Sequence, residues 1–289
     1  MPARFCVLAS GSAGNCAFVQ AGGAGVLIDA GLGPRFIASR LASVGATWRD
    51  VHAVVLTHTH SDHWKDWTFG HMRQQGVPLY CSPRHHDGLS RYGGSFEPLA
   101  AAGLVRPFAD GDAVEMPGGI TIRPVPVPHD SDPTYGFRID GPPGLFGPQW
   151  SIGYASDLGE ARPELIEAFA DVNVLAIEFN HCERMERASG RPRFLIQRVL
   201  SSHGHLSNDQ AADALRAVVR ASACGSLKHV VQLHLSRDCN TPKKAQEAGR
   251  AALDAVGSPA AVLTAQQYAA SRIISLDGDT KRVRSAVSA

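Results

Sequence analysis

The chain begins with short apolar runs that are separated by glycine-rich segments. Residues 4–8, 17–20 and 26–29 have the length of strands, and the glycines between them are typical of tight turns. Residues 34–44 instead have apolar positions at helical spacing, and Pro34 suits the first position of a helix. The start of the chain therefore predicts antiparallel strands followed by a helix.

A nearly continuous apolar run covers residues 51–57, which predicts a strand buried on both faces. Further strands are predicted at residues 79–81, 114–116, 120–127, 135–139, 151–155, 174–178 and 230–234. Helices are predicted at residues 163–170, 194–201, 208–221 and 242–256. Two runs of strands, each followed by helices, favour sheet layers covered by helices on their outer faces. We assign residues 1–276 to one domain and predict a flexible tail at 277–289.

Composition narrows the class of protein. The 289 residues carry a net charge of +1, which argues against a protein that coats nucleic acid over its whole surface. No apolar run approaches the roughly 18 residues of a membrane-spanning helix, and no secretory signal is visible, so we expect a cytoplasmic protein without membrane contact. The six cysteines form no C-x-x-C pair, whereas the 13 histidines are partly clustered. The clustering directs attention to metal chemistry.

Four candidate metal ligands follow the apolar run at 51–57 within six residues: His58, His60, Asp62 and His63. Neutral imidazole and carboxylate are natural ligands for zinc, manganese or iron. The alternative is a polar loop with incidental histidines. Four ligand-type side chains in so short a segment, directly after a buried strand, favour the metal site.

This H-x-H-x-D-H pattern resembles the signature of the metallo-β-lactamase superfamily. The resemblance implies an α/β protein, an αββα sandwich of two mixed β-sheets covered by helices on their outer faces, with a two-metal site along one edge. It also implies a distant His, a distant Asp and a final His, which His129, Asp157 and His234 match, each after a predicted strand. By resemblance, one metal is held by His58, His60 and His129, the other by Asp62, His63 and His234, with Asp157 bridging.

The implied ligand set predicts hydrolysis. Two divalent cations, zinc or manganese first and iron as a further candidate, can share a hydroxide because metal binding lowers the pKa of water from 15.7 to about 7. No serine or cysteine nucleophile is then required. The resemblance also implies that Asp62 both binds metal and orients the hydroxide.

Further motifs at residues 10–15, 178–181, 204–208 and 234–242 look like the YycJ/WalJ-type branch of the superfamily. That resemblance implies a metal-dependent DNA exonuclease of the 5′-to-3′ kind, with DNA as its substrate. His205 would contact a phosphate or protonate the leaving oxygen. Alternatively, Ser207 or Asn208 caps a helix and His205 is a bystander. His181 is a further catalytic candidate, or it simply closes a turn.

Two segments are candidates for substrate binding. Ser10, Ser12 and Asn15 lie in a small-residue loop that is either a wall of the cleft or only a hairpin turn. Ser207 would bind substrate together with His205. Between residues 183 and 198, five arginines against two glutamates give a local charge of +3, and Arg191 and Arg193 lie between two motifs of the site. An ordinary solvated helix face is an equal alternative for these arginines.

Three other functions remain open at this point. A small-molecule phosphodiesterase would use the same metals in a closed pocket. A hydrolase of carboxylic esters, thioesters or lactams would share the nucleophile, but no residue pattern marks such a pocket. A non-catalytic nucleic-acid-binding module would typically have lost ligands, and the full set of seven argues against it.

Overall fold

The computed structural model describes residues 2–92, 94–131, 133–145 and 147–277. Two seven-stranded mixed sheets pack face to face, and a separate two-stranded ribbon lies outside them. Helices cover the outer faces of both sheets, so the predicted αββα sandwich is confirmed. Residues 278–289 of the predicted tail lie outside the described residues.

The first sheet is antiparallel at one end and parallel at the other. Its strands are, in spatial order, β16 (Ile274–Ser275), β1 (Arg4–Ala9), β2 (Cys16–Ala21), β3 (Ala24–Ile28), β4 (Val51–Val55), β5 (Leu79–Cys81) and β6 (Val105–Pro107). The pairs from β16 to β3 are antiparallel, and those from β3 to β6 are parallel.

The second sheet repeats this arrangement. Its strands are β15 (Ala261–Thr264), β14 (His229–Leu233), β13 (Val174–Glu178), β12 (Ser151–Ala155), β9 (Thr134–Asp140), β8 (Ile120–Val127) and β7 (Val114–Met116). The pairs from β12 to β15 are parallel, and those from β7 to β12 are antiparallel. The ribbon consists of β10 (Pro143–Gly144) and β11 (Gly147–Pro148).

The helices divide into two layers. The helices that follow strands of the first sheet are α1 (Pro34–Ser43), α2 (Asp66–Gln75), α3 (His86–Tyr92) and α4 (Phe96–Ala101), with 3₁₀ turns at Trp48–Asp50 and Pro83–His85. Those that follow strands of the second sheet are α5 (Pro163–Ala168), α6 (Glu183–Arg187), α7 (Arg193–Val199), α8 (Asn208–Ala221) and α9 (Pro242–Ala255). Among the helices of the described ranges, none has the length and apolar character needed to cross a membrane.

Alternation along the strands builds three apolar layers. In β1, Phe5 and Val7 point between the two sheets, whereas Cys6 and Leu8 point to the helices on the outer face. The same division holds in β13, where Leu175 packs with the helices of the second sheet. Because both faces of these strands are buried, their sequences are continuously apolar rather than alternating.

Several elements are absent from the sequence prediction. The sequence predicts no helix in the segment from α2 to α4, because α2 buries only Thr68, Phe69 and Met72 and also contains glycine and histidine, which weakens its helical periodicity. The edge strands β6, β15 and β16 are two to four residues long, too short for a periodic signal. None of these elements carries a predicted metal ligand.

Candidate metal centre

The predicted metal ligands lie at one end of the sandwich because the strands that precede them run in the same direction. In the first sheet, β4 leads into His58. In the second sheet, β8, β12 and β14 lead into His129, Asp157 and His234. Ligand sites in sheets of this kind form at the carboxyl ends of strands. The topology thus collects residues that are far apart in the sequence.

The first group of ligand-type side chains consists of His58, His60, His129 and Asp157, with one ligand atom from each lying within 4.8 Å of the others. Nε2 of His129 lies 3.3 Å from Nδ1 of His60. Nε2 of His58 lies 3.4 Å from a carboxylate oxygen of Asp157. Such a set of nitrogen and oxygen atoms could hold a metal ion.

The second group consists of Asp62, His63, Asp157 and His234, within the same 4.8 Å limit. Nε2 of His63 and Nδ1 of His234 each lie 2.7 Å from an oxygen of Asp157, but from different oxygens. Asp157 is therefore common to both groups. The structure brings together all seven predicted ligands, in the two sets that the resemblance implies.

The ring nitrogens that face away from the centre are held by hydrogen bonds. Nδ1 of His63 lies 2.7 Å from a carboxylate oxygen of Asp29, and Nδ1 of His129 lies 2.9 Å from the carbonyl oxygen of Gly204. Donation from Nδ1 to these oxygens leaves the Nε2 lone pair available, which is the arrangement usual for metal-binding histidines. Asp29 is fully buried and also accepts hydrogen bonds from Thr57.

Two buried nitrogen atoms provide a test of whether a metal fits here. Nε2 of His58 and Nε2 of His234 are buried and make no hydrogen bond with any described residue. The nearby carboxylate oxygens of Asp157 and Asp62 lie 3.4 and 3.5 Å away. Buried polar atoms are rarely left unpaired. Cations between these atoms would satisfy both nitrogens, so the residues fit a metal centre.

The electrostatic field of the second group favours positive charge. Burial lowers the pKa of His234, but the surrounding carboxylates, with Asp157 as the largest contributor, raise it by more. The pKa of His234 therefore lies well above its usual range. The pKa of His63 is likewise raised overall, against its burial, by Asp29 and Asp157. In the first group, burial and the neighbouring His63 hold the pKa of His58 well below its usual range. Neutral His58 is suited to act as a ligand.

Backbone strain is concentrated at the centre. Asp29, Asp157 and His234 have φ angles of 61°, 56° and 51°, in the left-handed region that non-glycine residues rarely adopt. Asp29 and His234 follow a strand directly, and Asp157 follows one after a single residue. The side chains of all three lie at the ligand groups. Such conformations cost of order 1–3 kcal/mol and persist where the surroundings hold them.

Glu178 belongs to the centre although the sequence analysis did not select it. It is fully buried at the end of β13, and one carboxylate oxygen lies 2.8 Å from Nδ1 of His205 and 3.0 Å from Nδ1 of His234. The other oxygen accepts hydrogen bonds from the backbone N–H groups of Leu158 and Leu206. The signal that could have found it is a lone carboxylate closing the apolar strand VLAIE.

The three remaining candidates around α8 have different surroundings. Nδ1 of His205 lies 2.8 Å from a carboxylate oxygen of Glu178, which places this ring beside the second ligand group. Ser207 caps α8, since its side chain accepts a hydrogen bond from the backbone of Gln210. His181 is fully buried and in none of the ligand groups, and neither ring nitrogen has a hydrogen-bond partner among the described residues. A catalytic part for His181 stays a prediction that this geometry does not favour.

Two of the three candidate side chains in the N-terminal loop contact predicted metal ligands. The Ser10 hydroxyl accepts a hydrogen bond from the backbone of His234 at 2.8 Å. The Asn15 amide lies 3.3 Å from a carboxylate oxygen of Asp62 and 3.0 Å from Nε2 of His63. Both side chains are buried, whereas Ser12 is exposed. Of the three side chains only that of Ser12 is exposed, whereas those of Ser10 and Asn15 contact predicted metal ligands.

The arginine segment is less positive than its sequence indicates. Arg187 pairs with Glu183 at 2.6 Å, and Arg198 pairs with Asp130. Arg191 is held between the buried Glu186 and Asp238. Asp130 and Asp238 lie outside the segment, so a count within it missed them. Arg193 is exposed and has no carboxylate partner within the described ranges.

A cavity of about 350 Å³ adjoins the second ligand group. His205 and His234 form part of its wall, and Ser12, Arg191 and Arg237 form another part. A larger cavity of about 770 Å³ lies elsewhere, at the amino ends of β13 and β14, and contains none of the ligand residues. The smaller cavity is the one relevant to chemistry at the metal centre.

The fold and the ligand groups define a metallo-β-lactamase-like hydrolase, and a family comparison agrees. Residues 25–225 match the family model described as "Beta-lactamase superfamily domain". The match covers more than half of the chain, so the chain belongs to this superfamily of enzymes.

Two curated relatives and one solved structure are similar to this chain over most of its length. The chain is 28% identical to exodeoxyribonuclease YycJ of Bacillus anthracis over 249 residues, which are 85% of this chain and 87% of that protein. It is 29% identical to exodeoxyribonuclease WalJ of Streptococcus pneumoniae over 244 residues, which are 82% and 83% of the two chains. Among solved structures, the metallo-β-lactamase fold protein YhfI of Bacillus subtilis matches with a TM-score of 0.65 at 16% identity, covering 95% of this chain and 99% of that chain. The chain is therefore similar to members of the predicted YycJ/WalJ-type branch of the superfamily.

Proposed function

We propose that this protein is a metal-dependent phosphodiester hydrolase that degrades DNA as an exonuclease, in the 5′-to-3′ direction. The observation that carries the proposal is the pair of ligand groups sharing Asp157, in a chain similar to two exodeoxyribonucleases over more than four fifths of its length. Paired metal positions of this kind suit in-line displacement at phosphorus.

His58, His60, His129 and Asp157 would hold one divalent cation, and Asp62, His63, Asp157 and His234 the other. Zinc and manganese suit these donors best, and iron is a further candidate. When bound, two such cations supply a water of lowered pKa and stabilise negative charge on the phosphate.

The protein's own groups would position the reaction. The Asn15 amide lies 3.3 Å from a carboxylate oxygen of Asp62 and so limits the directions in which that oxygen can turn. Glu178 accepts a hydrogen bond from Nδ1 of His205, and it raises the pKa of that ring more than burial lowers it, so Nε2 can also carry a proton and face a substrate oxygen. His205 lines the cavity beside the metal centre. It is therefore suited to donate a proton to the leaving oxygen.

A small-molecule phosphodiesterase is the second candidate. The cavity of about 350 Å³ lies near the lower end of the range for sites that enclose small ligands. A compact diester would fill it without any groove for a polymer. The two functions share the metal centre and differ only in substrate.

The experiment that separates them is cleavage of linear DNA labelled at the 5′ or the 3′ end, after loading the protein with Mn²⁺ or Zn²⁺. Asp62→Ala is the control, because it removes one ligand of the second group from a partly exposed position. Metal-dependent loss of the 5′ label as mononucleotides, absent in the variant, is the expected result. Intact DNA together with turnover of bis-para-nitrophenyl phosphate would instead favour the small diester.

A further inference from the structure

An arginine in the wall of the cavity beside the metal centre contacts a tyrosine that lies next to this cavity in a separate loop. Arg237 lines that cavity together with His205 and His234. Its guanidinium carbon lies 5.7 Å from the centroid of the Tyr268 ring, and its Nη1 donates a hydrogen bond of 3.0 Å to the Tyr268 hydroxyl. Tyr268 is 61% exposed, so a large part of the ring stays accessible.

Of the two arginines that line the cavity, one is paired with carboxylates and the other is free to bind an anion. Arg191 is neutralised by Glu186 and Asp238. Arg237 has no carboxylate partner in the part of the chain that the structure describes, and its side chain donates a hydrogen bond to the Tyr268 hydroxyl. An unpaired guanidinium at the wall of a polar cavity is suited to a phosphate, which it can bind through two N–H groups.

The tyrosine is fixed relative to the ligands through the N-terminal loop. The side chain of Gln267, its neighbour, accepts a hydrogen bond from the backbone of Ala13 at 2.8 Å and donates one to Gly14 at 3.0 Å. The same loop contains Ser10, whose hydroxyl accepts from the backbone N–H of His234. The segment of Tyr268 and a metal-ligand residue are thus both hydrogen-bonded to the same N-terminal loop.

We propose that Arg237 and Tyr268 hold the terminal nucleotide of the DNA strand: Arg237 binds its 5′-phosphate, and the Tyr268 ring stacks on its base. The inference rests on the proposed function. Stacking on an aromatic ring accepts every base, which suits an enzyme that removes nucleotides in turn. The cavity, about 350 Å³ in volume, has room for one nucleotide rather than for a duplex.

The test compares variants on single-stranded oligonucleotides that carry a 5′-phosphate or a 5′-hydroxyl. Tyr268→Leu removes the aromatic ring and Tyr268→Phe retains it, while Arg237→Gln removes the charge. Arg220→Gln is the matched control, because Arg220 is exposed in the last turn of α8 and does not line the cavity. KM and kcat are measured for each variant, with circular dichroism to verify folding.

We expect Tyr268→Leu to raise KM for both oligonucleotides by about tenfold or more, since stacking contributes roughly 1–3 kcal/mol per base. Arg220→Gln should stay within about twofold of the wild type. Tyr268→Phe keeps the ring but loses the hydroxyl that holds Arg237, so it should raise KM less than Tyr268→Leu does. The wild type should prefer the phosphorylated end by about tenfold, and Arg237→Gln should lose that preference, because a charge-assisted hydrogen bond contributes about 1.5–3 kcal/mol.

Two results would overturn the inference while the proposed function stands. One is that the wild type degrades DNA but Tyr268→Leu and Tyr268→Phe have the same KM. The other is Arg237→Gln with an unchanged preference for the phosphate. If the wild type degrades no oligonucleotide but hydrolyses bis-para-nitrophenyl phosphate, the proposed function fails, and the terminal-nucleotide site is rejected with it.

Discussion

Glu178→Gln is the substitution that most directly probes how the protein prepares its metal centre. The carboxylate accepts four hydrogen bonds, two from the ring nitrogens of His205 and His234 and two from backbone N–H groups. An amide of the same shape has one oxygen and one NH₂ group. Whichever way it turns, its NH₂ group faces two donors.

The protein can resolve this conflict in two ways. If both histidines keep their Nδ1 protons, the NH₂ group faces either the two backbone N–H groups or the two rings, of which His234 keeps Asp157 as an acceptor at 2.7 Å. Each buried donor without an acceptor costs about 1–3 kcal/mol, so the free energy of unfolding falls by about 1–6 kcal/mol. If the proton of His234 moves to Nε2, the fold is spared, but the nitrogen that should bind metal is blocked. Loss of such supporting contacts typically lowers metal affinity or activity 10- to 100-fold.

The assay combines urea unfolding of the metal-free protein with a metal titration and a measurement of kcat. Glu186→Gln is the matched control, because Glu186 is also fully buried but pairs with Arg191 outside the ligand groups. We expect the control to lose stability without losing metal affinity. If Glu178→Gln matched the wild type in stability, metal affinity and kcat alike, the role assigned to this carboxylate would be wrong.

Three further predictions concern other parts of the site and its support. Asp29→Asn should weaken metal binding about 10- to 100-fold in a competition titration, because it weakens the acceptor that orients His63; unchanged affinity would contradict this. Gly31→Ala should cost about 3 kcal/mol or more in urea unfolding, since a Cβ atom there would lie 1.8 Å from a backbone oxygen of the ligand loop, whereas Gly33→Ala should be tolerated. Burial lowers the pKa of His85 to about 4, so the unfolded chain binds more protons below pH 6.5. The contribution of His85 to the free energy of unfolding should be fully present above pH 6.5 and should fall by about 3 kcal/mol toward pH 4. A pH series in which the His85→Asn variant lost as much stability as the wild type would refute this.

The metal ligands were predictable because their signal is local and their order along the chain is fixed. His58, His60, Asp62 and His63 lie in one loop, and each distant ligand follows a strand whose apolar run is visible in the sequence. The strands that carry them are buried on both faces, so their composition marks them clearly.

The supporting residues were harder to predict, because they act through contacts between distant segments. Asp29 and Glu178 each stand at the end of an apolar strand, and sequence periodicity counted them as strand residues. The pairing of β3 with β4 brings Asp29 to His63. The loop before α8 lies against the end of β13, which brings His205 to Glu178. Arg237 was missed for a similar reason, since its partner Tyr268 is 31 residues further along the chain.

The central claim, two metal ions that share Asp157, is tested most directly by counting the bound ions. Native mass spectrometry would be run on the wild type and on Asp157→Ala during titration with Zn²⁺ or Mn²⁺. We expect two ions per wild-type chain and a loss of metal in the variant, because Asp157 belongs to both ligand groups. One ion or none in the wild type, or two ions in the variant, would contradict it.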